Sequence, residues 1–178
     1  KKPTLIIGNN VLAHVPKLND FVNGLKVLLA NNGVITMEFP HIIKLIDGNQ
    51  FDTIYHEHYS YFSFTTVNKI FEYYGLEIFD VEEIKTHGGS LRIYSQHLNH
   101  KPYKTSSAVN KLLEYELKKG IKNLKYYKNF QFKIFNAKID LLSFIIAQNK
   151  LGKSIAGYGA AAKGNTLMNF CGIKKDLI

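Results

Sequence analysis

The fold is limited most by a strand, a helix and a second strand that follow one another with short connections near the start of the chain. The apolar run Leu5-Ile6-Ile7-Gly8 precedes a polar turn and predicts a buried strand. In residues 17–30, apolar side chains recur every three or four positions, which predicts an amphipathic helix. A second apolar run covers residues 34–39. This order predicts a parallel pair of strands with a right-handed crossover, and therefore an α/β fold.

Further strands and then helices follow this unit. Residues 41–64 are rich in aromatic side chains and too long for a plain connector, and residues 65–75 are predicted to be helical. Residues 76–81 and 91–95 predict two strands that are too close for a crossover helix, so we expect them to be antiparallel. Apolar residues then repeat every three to four positions over 106–149, which predicts a connector of two or more helices with a weak point at Gly120.

A second α/β unit is predicted to begin near the end of the chain. Residues 154–159 predict a strand that runs into a glycine turn, with a helix after it to Phe170. The run Gly157-Tyr158-Gly159-Ala160-Ala161-Ala162 resembles the dinucleotide-binding pattern, in which amides at a helix start hold a phosphate, and Lys163 adds a positive charge. We therefore expect three parts, at residues 1–100, 101–150 and 151–178.

Composition and charge exclude several classes of protein. The net charge of +9 comes from residues 101–153, which carry twelve lysines and three acidic residues. Arg92 is the sole arginine, whereas nucleic-acid readers depend on arginine for paired contacts, so we expect solvated lysines and no nucleic-acid partner. The one cysteine, Cys171, excludes a disulfide framework, and no apolar run approaches the ~20 residues of a membrane span. The start, Lys1-Lys2-Pro3, has no signal-peptide pattern and resembles the middle of a longer, cytoplasmic protein.

The densest group of reactive side chains is Tyr55-His56-Glu57-His58. Histidine is the usual general base near neutral pH, a carboxylate can orient it, and a tyrosine hydroxyl can donate to a developing oxyanion. In an extended segment, Tyr55 and Glu57 would share one side and the two histidines the other. The pattern is typical of an acid–base site, of a His-x-His metal pair or of hydrogen-bonded structural residues. Because no third ligand lies nearby, we predict no metal.

A second candidate group lies in the loop after the first strand. Ligands of doubly wound sheets bind at the carboxyl ends of strands, where this loop carries Asn9, Asn10 and His14. A structural role is the alternative, since asparagine tolerates left-handed turns.

Four segments of the sequence resemble the sugar-nucleotide C-methyltransferases and occur in that family's order: residues 9–16, 51–62, 87–92 and 157–166. The resemblance implies that residues 1–100 form the second half of a class I methyltransferase domain with a partial Rossmann-like sheet. A helical connector and the start of a C-terminal α/β domain would follow. The family's glycine-rich loop for S-adenosylmethionine and its N-terminal zinc-binding domain have no counterpart here. We therefore interpret the chain as a fragment that holds no zinc.

The resemblance also implies a reaction and a set of roles. A base removes the C3 proton, next to the ketone of a nucleoside-diphosphate 4-keto-deoxysugar, and the resulting enolate carbon takes the methyl group of S-adenosylmethionine. His58 would be the base, Tyr55 and Glu57 would polarise the sugar, and His14 would assist, whereas His56 stays structural. The remaining residues divide between the cofactor side (Asn9 and Asn10) and the substrate side (His87, Gly88, Arg92 and Lys163).

The missing half of the sheet has a physical consequence and leaves alternatives open. A sheet without its first strands exposes an apolar edge, so we expect this chain alone to bind S-adenosylmethionine weakly or not at all and to be inactive as a methyltransferase by itself. We also expect it to dimerise or to need its missing N-terminal portion. The alternatives are a nucleotide-binding module of oxidoreductase type, based on the turn at Gly157, or a non-catalytic remnant. A nucleic-acid binder comes last.

Overall fold

A computed structural model describes residues 1–159 and 161–178, and its centre is one four-stranded sheet. The strands lie in the order β1, β2, β4, β3, where β1 is Leu5–Asn9, β2 is Val34–Pro40, β3 is Leu76–Ile84 and β4 is Ser90–His97. Strands β1 and β2 are parallel, and helix α1, Leu18–Leu28, crosses between them. Strand β4 is antiparallel to both β2 and β3. The α/β fold, the βαβ unit and the antiparallel pair are thus confirmed.

Five further helices complete the described fold. They are α2, Ile42–Asp47; α3, Phe64–Tyr73; α4, Ser107–Lys119; α5, Leu124–Lys150; and α6, Ala162–Cys171. The predicted helical connector is confirmed as α4 and α5, which are separated at Gly120, a residue with a left-handed backbone. Short 3₁₀ turns lie at Leu12–His14, Phe51–Thr53 and Thr86–Gly88. Helix α2 was not predicted, because its six residues are too few to show a helical period, although Ile43, Leu45 and Ile46 are buried while Lys44 and Asp47 are partly exposed.

The main core lies between the sheet and helices α1, α3 and α4. Side chains of the two central strands are fully buried there, and each helix contributes buried apolar residues to the same cluster. Full burial of one such side chain contributes about 1.5–3 kcal/mol relative to exposure, so this cluster holds the sheet in place. The residues at its centre are Ile35, Phe39, Leu91, Ile93, Val22, Phe64, Phe71 and Val109.

A buried carboxylate joins α4 to the start of α3. Glu116 accepts hydrogen bonds from the backbone N–H groups of Phe64 and Thr65, at 2.6 and 2.7 Å, and from the Thr65 hydroxyl at 2.6 Å. The His41 Nε2 donates to the same carboxylate at 2.7 Å, and both side chains are fully buried. Burial alone would raise the pKa of Glu116, but the hydrogen bonds from His41, Thr65 and Phe64 outweigh it, so the pKa is lowered.

A second, smaller apolar cluster joins α5 to α6. Ile145, Cys171 and Ile173 are buried in it, and burial raises the pKa of the Cys171 thiol. The predicted strand at 154–159 is wrong, because these residues form no strand. A strand needs a hydrogen-bonded neighbour, and each strand of the described sheet pairs only with other members of that sheet. Here Ile155 packs on the second cluster instead.

Candidate active site

A cleft opens at the carboxyl ends of β1 and β2, where the fold predicts a ligand site. Its volume is about 100 Å³, which gives room for several water-sized groups. Among residues 1–159 and 161–178, no carboxylate contributes to the lining, whereas one lysine and two histidines do. The cleft therefore favours neutral or anionic groups over cations. Its polar lining residues are Asn10, Gln50, Thr53, Tyr55, His58, Ser60, Tyr61, His87 and Lys163.

Residues 55–58 form a tight turn rather than an extended segment. The His58 N–H donates to the Tyr55 carbonyl at 3.1 Å, and this turn places the two rings 4.6 Å apart beside the cleft. The predicted alternation of sides is therefore wrong, because a turn brings residues i and i+3 together. Glu57 and His56 are exposed, and neither lines the cleft.

A backbone carbonyl fixes the tautomer of His58. The Nδ1 of His58 lies 2.8 Å from the Thr53 carbonyl oxygen, which can only accept a hydrogen bond. Nδ1 therefore carries the hydrogen, and in the neutral ring the lone pair is on Nε2. The Thr53 carbonyl is held by the 3₁₀ turn Phe51–Thr53, in which the Thr53 hydroxyl donates to the Gln50 carbonyl at 2.8 Å.

The loop after β1 brings His14 to the same place. Its ring centroid lies 4.6 Å from that of His58, in an edge-to-face arrangement. The connection is made by the backbone, since the Ala13 carbonyl accepts from the N–H groups of Tyr59 and Ser60 at 2.9 and 3.3 Å. The structure thus brings together three residues predicted from two separate motifs: His14, Tyr55 and His58.

The two asparagines after β1 differ in their positions. Asn10 lines the cleft with a left-handed backbone, φ 53°, and its buried side-chain oxygen has no hydrogen-bond partner among the described residues. An amide oxygen in that situation accepts a hydrogen bond from a hydroxyl group of a ligand, and S-adenosylmethionine carries hydroxyl groups on its ribose. Asn9 is exposed and does not line the cleft.

The turn Thr86–Gly88 forms another part of the wall. His87 lines the cleft from a left-handed position, φ 52°, and the Gln50 amide donates to the Gly88 carbonyl at 2.9 Å. At Gly89, φ is +120° and an added Cβ would lie 2.8 Å from Cγ of Lys44, so only glycine fits there. Gly88 shapes this turn but does not line the cleft.

Arg92 lies in the middle of the sheet rather than in the cleft lining. Its guanidinium contacts Glu38 of β2 and Glu82 of β3, both at 3.1 Å, and these residues are its cross-strand partners. The hydrogen bond to Glu38 is the main cause that raises the pKa of Arg92.

Helix α6 brings Lys163 into the cleft lining. The predicted dinucleotide-binding turn lies just before this helix, and one of its residues, Ala160, lies outside the described residues. The strand that such a turn requires is not formed at 154–159, and Tyr158 is fully exposed. The context for a dinucleotide site is therefore missing from the residues that the structure describes.

Several lining residues were not predicted from the sequence. Ser60 and Tyr61 follow His58 closely in the sequence, and this proximity could have indicated that they line the cleft. Burial raises the pKa of Tyr61. Gln50, whose side-chain amide donates to the Gly88 carbonyl, and Thr53, whose carbonyl accepts from His58, each pair with a residue distant or variable in type, which leaves no residue pattern to find. In residues 1–159 and 161–178, no three His, Cys, Asp or Glu side chains form a group able to hold a metal ion.

Comparison with known proteins identifies the family. Residues 85–178, just over half of the chain, match the family described as the C-methyltransferase C-terminal domain. The chain therefore belongs to this family of methyltransferases, as the resemblance implied. C-methyltransferase NovU of Streptomyces niveus is 34% identical over 169 residues, which cover 95% of this chain and 40% of NovU. The chain thus spans about two fifths of the length of this curated relative.

A solved structure shows a weaker likeness. Magnesium protoporphyrin IX methyltransferase (ChlM) from Synechocystis PCC 6803, with bound SAH, is 16% identical with a TM-score of 0.43. The similarity covers 53% of this chain and 44% of that chain, and likeness at this level carries no argument about function.

Proposed function

We propose that this chain forms the proton-abstracting part of an S-adenosylmethionine-dependent C-methyltransferase that acts on a nucleoside-diphosphate 4-keto-deoxysugar. The observation that supports the proposal most is the hydrogen bond from His58 Nδ1 to the Thr53 carbonyl, 2.8 Å long. It leaves the Nε2 lone pair of a cleft-lining imidazole available as a base. The family match supports methylation at carbon, which requires a carbon nucleophile.

The base and its neighbours divide the work of proton removal. A ketone acidifies the hydrogen on the adjacent carbon; His58 Nε2 takes that proton, and the electron pair of the C–H bond forms the enolate. The Tyr55 hydroxyl, on a ring next to His58, donates to the enolate oxygen. His14, packed against the edge of His58, holds the imidazole in position. Glu57 lies outside the cleft lining, so we keep its role as a prediction for a complex with substrate.

The charge of the lining supports an anionic substrate. Lys163 and His87 line the same cleft, with no carboxylate in the described part of the lining to compensate them. A diphosphate is the anion that a nucleotide sugar brings, and a lysine ammonium binds it as a point charge. The roles proposed for Gly88 and Arg92 are indirect. Gly88 shapes the turn that carries His87, and Arg92 joins β4 to its neighbouring strands through Glu38 and Glu82.

S-adenosylmethionine, when bound, supplies an electrophilic methyl group. Asn10, with its unpartnered buried oxygen at the end of β1, is the residue of this chain best suited to hold it, and Asn9 lies next to it. We also propose a domain division at residues 100 and 150, which the order of the strands and helices supports. Residues 1–100 contain β1 to β4, α4 and α5 form the connector, and α6 begins the last part.

The test is a methyl-transfer assay on a protein that joins this chain to the portion of NovU outside their match. With S-adenosylmethionine and a thymidine-diphosphate 4-keto-6-deoxyhexose, we expect a product heavier by one methylene, with the methyl group on carbon next to the ketone. The His58→Gln variant should lose turnover by at least 10³-fold. Methylation at oxygen, or equal turnover by the variant, would contradict the proposal.

A further inference from the structure

We propose that Phe170 of α6 is a positioning residue for His58, because it supports the 3₁₀ turn whose carbonyl fixes the tautomer of that base. The inference rests on the proposed function for the role of His58 as a base. It concerns a residue far along the chain from the motif around His58.

The first step is the contact between α6 and the 3₁₀ turn Phe51–Thr53. The rings of Phe170 and Phe51 lie with their centroids 5.2 Å apart, at an angle of 59°, and Phe51 is buried. Such a pair gains energy beyond its burial, because tilted aromatic rings at this separation attract one another. The last helical turn of α6 therefore packs on the first residue of the 3₁₀ turn.

The second step is the 3₁₀ turn, which connects Phe51 to the imidazole of His58. Inside the turn, the Ile54 N–H donates to the Phe51 carbonyl at 3.0 Å. The Thr53 carbonyl accepts from His58 Nδ1 at 2.8 Å. Because the turn is only three residues long, a displacement of Phe51 moves the Thr53 carbonyl as well. Without that acceptor, the ring loses the interaction that holds the hydrogen on Nδ1, and the tautomer with the hydrogen on Nε2 becomes populated.

The third step is the support of Phe170 from α5. The Lys138 ammonium donates to the Phe170 carbonyl at 2.9 Å and lies 5.1 Å from the centre of the Phe170 ring. Phe170 and Lys163 are seven residues apart and therefore share one face of α6. One helix face thus carries both a cleft residue and the support of the base, so the docking of α6 completes the site.

The test measures the tautomer of His58 directly, by the ¹⁵N chemical shifts of its two ring nitrogens in the histidine-labelled chain. The signals are assigned by their loss in His58→Gln. In the wild-type chain with a neutral ring, we expect Nδ1 at a protonated shift and Nε2 at an unprotonated one. In Phe170→Ala the difference between the two shifts should shrink, as both tautomers become populated.

The control is Phe144→Ala, which removes the same side chain from an exposed position on α5 and should leave both shifts unchanged. If Phe170→Ala unfolds the chain, Phe170→Leu and Lys138→Met decide by the same measurement, with a smaller change in the same direction expected. Unchanged His58 shifts in the folded variants would overturn the inference. Since the readout needs no turnover, failure of the proposed function alone would leave these shifts as described.

Discussion

At the scale of single residues, the proposed chemistry depends on the side chains that surround the His58 ring. Tyr55 is the neighbour of His58 with the clearest separate function, since its ring lies 4.6 Å away and its hydroxyl can donate to an oxyanion. We predict that Tyr55→Phe lowers kcat of the joined protein by about 10²-fold, a usual loss for one oxyanion donor. KM should change little. Tyr59→Phe, an exposed neighbour, is the control, and an equal effect of both variants would contradict the role.

The conformation of the cleft wall depends on the left-handed backbone of Gly89. Gly89→Ala places a methyl group against the Lys44 side chain at a backbone angle that disfavours any Cβ. We predict a loss of about 1–3 kcal/mol in the free energy of unfolding, measured by urea denaturation. Gly24→Ala, in α1 with open space around it, should instead be neutral or stabilising by up to ~1 kcal/mol. A loss of similar size in both variants would contradict the strain argument.

The sequence was sufficient to predict that Tyr55, His58 and His14 are reactive types, but not how they meet. A tight turn at 55–58 separates Glu57 from Tyr55, although an extended segment would keep them on one side. The hydrogen bond from His58 to the Thr53 carbonyl was equally hidden, because any residue provides a carbonyl.

At the scale of elements, a buried carboxylate holds the start of α3 to α4. Glu116 accepts from two backbone N–H groups, one hydroxyl and His41. We predict that Glu116→Gln lowers the free energy of unfolding at pH 7 by about 3 kcal/mol, because an amide nitrogen would then face donors. Glu114→Gln, exposed on the same helix, should change it by less than ~0.5 kcal/mol.

The same group makes stability depend on pH. Since the folded pKa of Glu116 is lowered, its contribution is fully present above the unfolded value of about 4.5 and is lost as the pH falls through the folded value. Urea denaturation between pH 7 and 3 should therefore show a smaller acid loss in Glu116→Gln than in the wild-type chain. Identical slopes in the two proteins would contradict the assigned pKa direction.

Periodicity predicted the longer helices, which have one buried face, and missed a short one. Helices α1, α3 and α4 are amphipathic and were predicted within a few residues. Helix α2, with six residues, is too short to show a period. The expected strand at 154–159 has the apolar composition of a strand but no neighbour to pair with in the described sheet.

At the scale of the whole molecule, the described sheet has an exposed edge at β1. Leu5 and Ile7 are 53% and 62% exposed, and β1 pairs with β2 alone among the described strands. The chain covers only 40% of NovU, which leaves a large part of that relative unmatched. We propose that a further portion, or a second copy of the chain, covers this edge. None of the described helices has the length and apolar character needed to cross a membrane.

The proposed need for a further portion predicts weak cofactor binding by the 178-residue chain. Calorimetric titration of the 178-residue chain with S-adenosylmethionine should give no measurable heat of binding, because Asn10 alone offers an unpartnered buried acceptor at the end of β1. The protein joined to the remaining portion of NovU is the control and should bind. A micromolar Kd for the chain by itself would show that the described residues form a sufficient site.

The most direct test of the account is proton exchange by this chain without any methyl donor. A thymidine-diphosphate 4-keto-6-deoxyhexose is incubated in D₂O with the chain, and deuterium at the carbon next to the ketone is followed by NMR. We predict exchange at least tenfold faster than without protein, and a return to the background rate in His58→Gln. Exchange at the same rate with wild-type chain and variant would contradict the assignment of His58 as the base.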